Sequence, residues 1–368
     1  MKVNCDRQTL ADHLGLVSSV TNARSPKPAL SCVRFSAKPG SLTLTASDGE
    51  IWAVMTTNRV EVEQAGETLL PADKVQQIVR ESGDATLLLE SKGEEAVIQC
   101  KDSTFRLLGY PVADFPASPA SQEAGAADFE IEAGALCRLV NSTLFATAKD
   151  NSRYAIAGVL LEREGKDIVV VATDGHRLAL ARGKCSKAEA TKNSAIVPSK
   201  TLNLLLKVFT DPEAVVRVKM AGNQVSFTDD HATLTSNLIE GNFPPYKDVV
   251  PKDSDKKATL PREGFKSAVK RASVLTTEES RGLKMSFGGK ELVLSSRAPE
   301  TGEAEVRLAV PEYSGEPISI GFSPGYVLDA LKVVDTETFT LEMKGPNKPG
   351  VIRTGPDFLY VVMPVNLA

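Results

Sequence analysis

The chain repeats the same short markers three times at a spacing of about 127 residues, and this constrains its fold more than any other feature. Ala46–Gly49 (ASDG) recurs as Ala172–Gly175 (ATDG), and each copy follows a strand-like apolar run. A proline opens an amphipathic stretch in each repeat, at Pro71, Pro198 and Pro324. Phe-Pro pairs 128 residues apart end the first two repeats. Self-similarity at one period predicts three tandem domains of similar fold.

Each repeat also shows the same order of elements. An early helix pattern comes first, at 9–20, 134–147 and 261–274, and a helix begun by proline comes later, at 71–82, 198–209 and 324–334. Strands with alternating apolar residues separate them. Proline suits the first turn of these later helices because an N–H there has no helical partner. The pattern predicts an α+β fold in which each domain carries two helices on one face of antiparallel sheets.

Composition shifts give the domain limits. Ala117–Ala127 is rich in Pro, Ser, Gly and Ala, and Pro251–Lys257 is rich in Lys, Asp and Ser, so both are typical of linkers. The predicted domains are an N-terminal one over 1–120, a central one over 121–252 and a C-terminal one over 253–368.

Composition argues against several classes of protein. Apolar residues make up 42% of the chain, yet no run approaches the roughly 18 residues of a spanning helix. The first residues lack the apolar region of a secretion signal. Five scattered cysteines without a C-x-x-C pair and only three histidines favour neither disulfides nor a metal site. We therefore expect a cytoplasmic protein with reduced thiols and no metal or other cofactor.

Charge is distributed unevenly along the chain. The net charge is −4, but the six predicted helices carry ten basic and five acidic residues. The helices are thus +5 and the remainder is −9. If the helices share one surface, that surface attracts a polyanion while the rest of the molecule repels it. Ordinary solvated helix faces would explain the same counts.

One motif resembles that of a hydrolase. Gly321–Gly325 (GFSPG) matches the G-x-S-x-G nucleophile elbow and lies between a predicted strand and helix. That chain order requires a histidine after the serine, and the last histidine is His231. Ser323 and Pro324 are also explained as a helix cap and a first-turn proline. A cytosolic hydrolase that uses Ser323 or His176 remains the alternative from another class.

Two further segments indicate a binding function. Asp174-Gly175 is shared with the first repeat and is a turn signal, whereas the following His176-Arg177 is peculiar to the second repeat. The chain ends in an apolar run in which Leu359–Val362 is a predicted strand. Val365 and Leu367 lie beyond Pro364, where the strand cannot simply continue, so we expect apolar tail residues to line a partner groove.

Taken together, the three repeats, ATDGHRLA over 172–179, EGNFPPY over 240–246 and VVMPV over 361–365 resemble the β subunit of bacterial DNA polymerase III, the sliding-clamp family. The similarity runs from Met1 to Leu367. It implies a head-to-tail homodimer whose six domains close a ring around duplex DNA, with twelve helices facing the hole. The period alone leaves the number of subunits in the ring open, because three chains of two domains would close a six-domain ring as well as two chains of three.

The resemblance implies a processivity factor without catalytic activity or cofactor. The resemblance also implies that the protein acts in the cytoplasm, associated with the nucleoid at replication forks. The implied partners are the clamp loader complex, the catalytic subunit of the replicative polymerase, other polymerases and repair proteins. A related clamp dedicated to repair remains an alternative.

Carried over position by position, the resemblance assigns three sets of residues. A peptide groove between the second and third domains comprises Ile156, Thr173, Gly175, His176, Arg177, Leu178, Pro244, Val249, Val361, Val362, Met363, Pro364 and Val365. DNA-facing residues are Arg24, Lys149, Arg153, Tyr154 and Lys200. The dimer edge pairs Phe105 and Leu107 with Val274 and Leu275 of a second copy. Four positions depart from the family pattern: Asp248 and Asn366 stand where the family often has a basic residue, and Asp73 and Asp150 stand where it often has a basic or neutral one.

Overall fold

The computed structural model describes residues 1–117, 126–149, 154–187, 192–276, 282–299 and 301–367. In these ranges the chain forms seven α-helices and 26 β-strands. The helices are α1 (Arg7–Ser18), α2 (Ala72–Glu81), α3 (Ala133–Asn141), α4 (Ser199–Val208), α5 (Tyr246–Val249), α6 (Arg262–Ala272) and α7 (Pro324–Val333).

All strand pairings between these elements are antiparallel. The strands are β1 (Lys2–Asp6), β2 (Cys32–Lys38), β3 (Ser41–Ser47), β4 (Ile51–Thr57), β5 (Val60–Gln64), β6 (Gly66–Pro71), β7 (Thr86–Lys92), β8 (Glu95–Gln99), β9 (Thr104–Leu108), β10 (Phe129–Glu132), β11 (Gly158–Glu164), β12 (Asp167–Thr173), β13 (Arg177–Lys184), β14 (Lys192–Pro198), β15 (Val215–Ala221), β16 (Gln224–Thr228), β17 (Ala232–Asn237), β18 (Lys256–Pro261), β19 (Leu283–Gly288), β20 (Glu291–Ala298), β21 (Gly302–Ala309), β22 (Glu312–Ser314), β23 (Ile318–Phe322), β24 (Thr338–Met343), β25 (Gly350–Thr354) and β26 (Phe358–Val362).

All six predicted helices are present, but the prediction that each later helix begins at proline is wrong for two of them. Pro71 and Pro198 are the last residues of β6 and β14, and the helix begins one residue later. At Pro71, φ is −56° and ψ is 119°. The proline ring fixes φ but not ψ, so the residue can end a strand with an extended ψ. Only Pro324 lies in the first helical turn. The helix predicted to reach 147 ends at Asn141, and a 3₁₀ turn follows over Leu144–Ala146.

The described residues form two compact units, and the boundary between the units falls within the second repeat. The first comprises residues within Met1–Cys137, Cys185–Thr191 and Lys200–Leu238. It holds a five-stranded sheet of order β5-β1-β7-β8-β9 and an eight-stranded sheet of order β10-β15-β16-β17-β4-β3-β2-β6. Helix α1 packs against α2 and strands β1 to β4. The alternation in β3 places Leu42, Leu44 and Ala46 in the core.

The second unit comprises residues within Arg138–Lys184, Lys192–Ser199 and Ile239–Ala368. Its nine-stranded sheet has the order β14-β11-β12-β13-β26-β25-β24-β18-β22, and its four-stranded sheet has the order β21-β20-β19-β23. Helix α6 packs against α7, β18, β20 and β21. The pairing of β13 with β26 joins strands of the second and third repeats in one sheet, and this pairing positions the candidate site.

The repeat is visible in strand register as well as in sequence. In the first unit β4 pairs with β17, and Trp52 lies opposite Thr235. In the second unit β13 pairs with β26, and Leu178 lies opposite Val361. Each member of the second pair stands 126 residues after its counterpart in the first. The same cross-repeat pairing is therefore built twice, with different side chains at the equivalent positions.

Candidate functional site

The turn over Asp174–Arg177 begins the site. Oδ1 of Asp174 accepts hydrogen bonds from the backbone N–H groups of His176 (2.9 Å) and Arg177 (3.0 Å). Gly175 has φ of 89°, which favours glycine because it has no Cβ. Asp48 holds the first-repeat turn in the same way, through Glu50 and Ile51. The prediction that Asp-Gly is a structural turn is confirmed.

Arg177 is buried, and its guanidinium group is surrounded by partners. Nε donates to Oδ2 of Asp174 at 2.9 Å, and Nη1 donates to Oδ2 of Asp329 on α7 at 2.7 Å. Nη2 donates to the carbonyl of Phe145 at 2.9 Å, and the ring of Tyr326 lies 4.5 Å from Cζ. A buried cation requires such compensation, and two carboxylates supply it here.

The chain end lies beside this turn. Strand β26 places Val361 opposite Leu178, and the backbone N–H of Met363 then donates to the carbonyl of His176 at 2.9 Å. Pro364 follows and has no N–H to donate. The tail therefore leaves the sheet at the residue where the sequence predicted that the strand must end.

These elements enclose an apolar cavity of about 160 Å³. Buried side chains form its floor, and exposed ones such as Val249 and Met363 form its rim. The lining residues are Ile156, Thr173, Gly175, Arg177, Leu178, Pro244, Tyr246, Val249, Val361 and Met363. Nine of the thirteen residues predicted for a peptide groove are thus brought together around one cavity.

The other four predicted groove residues lie elsewhere. His176 is exposed and lines a neighbouring, larger cavity of about 620 Å³ that also contains Lys149 and Ser323. Val362 is buried in the sheet opposite Arg177. Pro364 and Val365 belong to the tail beyond the rim.

Tyr246 lines the cavity, although it is not among the residues predicted for the groove. It opens the short helix α5, is buried, and donates its hydroxyl to Oε2 of Glu162 at 2.6 Å. Burial and the adjacent Glu162 carboxylate raise the pKa of this hydroxyl. The Phe-Pro-Pro-Tyr stretch that marks the end of the second repeat contained the available signal, since it carries Pro244 and Tyr246 together.

The predicted DNA-facing residues are placed as follows. Arg24 and Lys149 are exposed. The ammonium group of Lys200 forms an ion pair with Asp48 of the first-repeat turn. Arg153 and Asp150 lie outside the described residues, and so does the side chain of Tyr154, whose backbone begins a 3₁₀ turn over Tyr154–Ala157.

The predicted dimer residues lie at element ends and edges. Strand β9 is the last strand of its sheet, and it carries Phe105 (37% exposed) and the half-buried Leu107. Val274 is 74% exposed just after α6, and Leu275 follows it. An unpaired strand edge with apolar side chains is typical of a surface that pairs with another chain.

No helix in the described part of the chain is long and apolar enough to cross a membrane. The sequence matches three family models along almost its whole length: the N-terminal domain of the DNA polymerase III beta subunit over residues 1–119, its central domain over 130–245 and its C-terminal domain over 247–366. The chain belongs to the DNA polymerase III beta subunit family. This membership confirms the resemblance seen in the sequence and the α+β fold of three tandem domains.

Curated relatives and solved structures agree with the beta subunit assignment. The beta sliding clamp of Pseudomonas putida is 32% identical and that of Escherichia coli K12 is 31% identical, each over 100% of both chains. The DNA polymerase sliding clamp of Bacillus subtilis superimposes with a TM-score of 0.95 at 27% identity, covering 100% of both chains. The DNA polymerase III subunit beta of Pseudomonas aeruginosa gives 0.93 at 30% identity, again with full coverage.

Membership of the beta subunit family makes the chain a non-catalytic processivity clamp of DNA polymerase III. The hydrolase alternative is therefore wrong. Ser323 stands at the N-cap position of α7 with Pro324 in the first turn, which confirms the predicted helix start, but the Ser323 side chain makes no capping hydrogen bond.

Proposed function

We propose that the apolar cavity around Leu178, Val361 and Met363 anchors short peptide segments of replication and repair proteins while a ring of two chains encircles duplex DNA. The observation that carries this is the convergence of nine predicted groove residues around one cavity. The partners are the clamp loader complex, the catalytic subunit of the replicative polymerase, other polymerases and repair proteins. They meet the ring on DNA in the cytoplasm, at replication forks in the nucleoid.

The chemistry of the groove favours apolar anchors. Its floor is made of buried side chains such as Ile156, Leu178 and Val361. The Arg177 cation is already neutralised by Asp174 and Asp329, so it attracts no carboxylate from a peptide. Burial of apolar area stabilises a complex by about 25 cal/mol per Å². Leucine and phenylalanine side chains are therefore the expected hot spots of the bound segment.

Tethering explains how a protein without catalytic groups promotes synthesis. A polymerase held by a peptide on a ring that cannot leave the duplex rebinds the primer end at a high effective concentration. The ring must also move freely, so its DNA contacts should be to phosphates, which carry no sequence information. Arg24, Lys149, Arg153, Tyr154 and Lys200 are the proposed contact residues.

The ring closes in this proposal through the edge strand β9 of one chain and the residues after α6 of the other. Phe105 and Leu107 would pack against Val274 and Leu275 of the second copy, which would cover side chains that are exposed or half-buried in one chain. The three domains of each chain, 1–120, 121–252 and 253–368, would then supply half of a six-domain ring.

Retention on circular DNA tests the topological part of the proposal. The purified protein is loaded by the clamp loader onto nicked circular DNA, and the plasmid is then cut once. We expect the protein to stay on the circle through gel filtration and to leave after linearisation. Equal retention on both forms would contradict encirclement.

Arrest of replication after depletion distinguishes the replicative clamp from a clamp dedicated to repair.

A further inference from the structure

The last described residues of the chain lie against β23 and not in the groove. The backbone N–H of Val365 donates to the carbonyl of Gly321 at 2.9 Å. Among the described residues, strand β23 is the terminal strand of its four-stranded sheet and pairs there with β19 alone. The tail therefore donates a hydrogen bond to the open side of an edge strand.

Two glycines provide the space for this contact. A Cβ atom at Gly321 would lie 2.7 Å from the carbonyl oxygen of Val365 and 2.8 Å from Cγ and Cδ2 of Leu367. A Cβ atom at Gly282 would lie 2.9 Å from Cδ2 of Leu367 and 3.3 Å from Cγ2 of Val365. Neither glycine has a positive φ. Close approach of the tail, and not a special backbone conformation, accounts for glycine at both positions.

We propose that Gly282 and Gly321 form a seat for Leu367 that positions the tail, and through it the Met363 side chain, at the rim of the apolar groove. This inference rests on the proposed peptide-binding function of that groove. Gly282, Gly321 and Leu367 are positioning residues in this account, because none of them lines the cavity.

The short distance along the chain makes the coupling direct. The backbone N–H of Met363 donates a hydrogen bond to the carbonyl of His176, and that of Val365 donates to the carbonyl of Gly321. Only Pro364 lies between the two donors in the sequence. Proline fixes φ near −65°, so a shift of Val365 has few torsions in which to be absorbed before it reaches Met363.

The seat also holds side chains that would otherwise be mobile. Exposed side chains change rotamer freely unless they are tied down, and Met363 and Leu367 are 39% and 42% exposed. A Met363 side chain that already stands at the rim loses less conformational freedom when a peptide binds. The seat should therefore increase affinity without touching the peptide.

Three variants of the full-length dimer test the seat: Leu367→Ala, Gly321→Ala and the control Gly288→Ala. Gly288 ends the neighbouring strand β19, and a Cβ there meets nothing within 4 Å. The probe is the pentapeptide Gln-Leu-Asp-Leu-Phe, titrated calorimetrically. We expect Leu367→Ala and Gly321→Ala each to weaken binding by about three- to tenfold, as expected for one side chain that must be reordered. Gly288→Ala should leave the Kd unchanged.

The double variant Gly321→Ala/Leu367→Ala separates seating from general damage. Both changes remove the same contact between Gly321 and Leu367. The fold-increase in Kd of the double variant should therefore be close to that of Gly321→Ala alone, and not the product of the two single increases. Multiplicative losses would overturn the shared seat.

The outcomes distinguish this proposal from the one it rests on. Absence of peptide binding by the unaltered protein contradicts the proposed function itself. Binding by the unaltered protein, with equal Kd for Leu367→Ala and Gly321→Ala, overturns the seat and leaves the groove in place. If Gly321→Ala shows a lost fold by circular dichroism, Leu367→Ala decides alone, because it alters a side chain exposed enough to be removed safely.

Discussion

The guanidinium Nη1 of Arg177 donates to Oδ2 of Asp329 across 2.7 Å, which ties the turn before β13 to helix α7. Arg177 lies in the second sequence repeat and Asp329 in the third, 152 residues away. The same arginine lines the apolar cavity. One partly buried ion pair thus fixes the wall of the groove and joins two repeats within one compact unit.

Replacement of Asp329 by Asn should lower the free energy of unfolding by about 1.5–3 kcal/mol, the usual contribution of a hydrogen bond to a charged group. Burial opposes ionisation of Asp329, but hydrogen bonds from Lys332 and Arg177 outweigh it and lower the pKa from 3.8. The stabilisation is therefore present above the ordinary pKa and is lost as pH falls through the lowered value. Urea unfolding of both proteins at pH 7 and pH 3 should show a difference that shrinks in acid. The exposed Asp335→Asn is the control, and a pH-independent difference would contradict the pairing.

Removal of the ion pair between Asp48 and Lys200 should strengthen DNA binding, because it leaves the Lys200 ammonium free to contact a phosphate. Asp48 uses Oδ1 for its turn and Oδ2 for the Lys200 ammonium, so Asp48→Asn keeps the turn acceptor and removes the charge. Each phosphate contact contributes about −0.9 to the slope of log K against log salt. We expect Asp48→Asn to steepen the slope by up to about 0.9 and Arg24→Ala to reduce it by about 0.9. Anisotropy of a labelled duplex measures both, and an unchanged slope in Asp48→Asn would remove Lys200 from the proposed contacts.

The double variant Val274→Ala/Leu275→Ala should convert dimers into monomers, because it removes apolar area from the proposed dimer edge. Val215→Ala, which truncates another exposed valine on β15, is the matched control and should remain dimeric. Sedimentation velocity at micromolar concentration distinguishes the two states. A Val274→Ala/Leu275→Ala protein that sediments as a dimer would refute the assignment.

Two of the five cysteines should resist thiol reagents in the native protein. Burial raises the pKa of Cys5 to about 12 and that of Cys32 to about 11. At pH 8 only about 10⁻⁴ and 10⁻³ of these thiols are ionised, and the thiolate is the reactive form. Labelling with a disulfide reagent followed by peptide mapping should leave both unmodified until denaturant is added. Rapid labelling of Cys5 in the native protein would contradict its burial.

The fold was largely predictable because the repeat carries local signals. Asp174-Gly175 predicts its own turn, and alternation in Ser41–Ser47 predicts strand β3, since neighbouring residues determine both. The exact helix start at Pro71 was not predictable, because proline fits the end of a strand as well as the first turn of a helix.

The candidate site depends on contacts between residues far apart in the chain. Leu178 and Val361 share the cavity because β13 pairs with β26, and periodicity alone does not specify that register. Family resemblance supplied those positions. Asp329 carries no local signal, since an acidic residue on an amphipathic helix reads as an ordinary solvated position. Gly282 and Gly321 become informative only when the tail that approaches them is seen.

The central claim is that the groove bordered by the chain end binds partner peptides, and a truncation tests it most directly. Removal of Met363–Ala368 leaves β26 intact and takes away the rim residue Met363. Calorimetric titration with Gln-Leu-Asp-Leu-Phe should give binding to the full-length chain and no measurable heat with the truncated one, while circular dichroism and sedimentation show a folded dimer in both cases. Equal affinity of the two proteins would place the peptide site elsewhere and contradict the account.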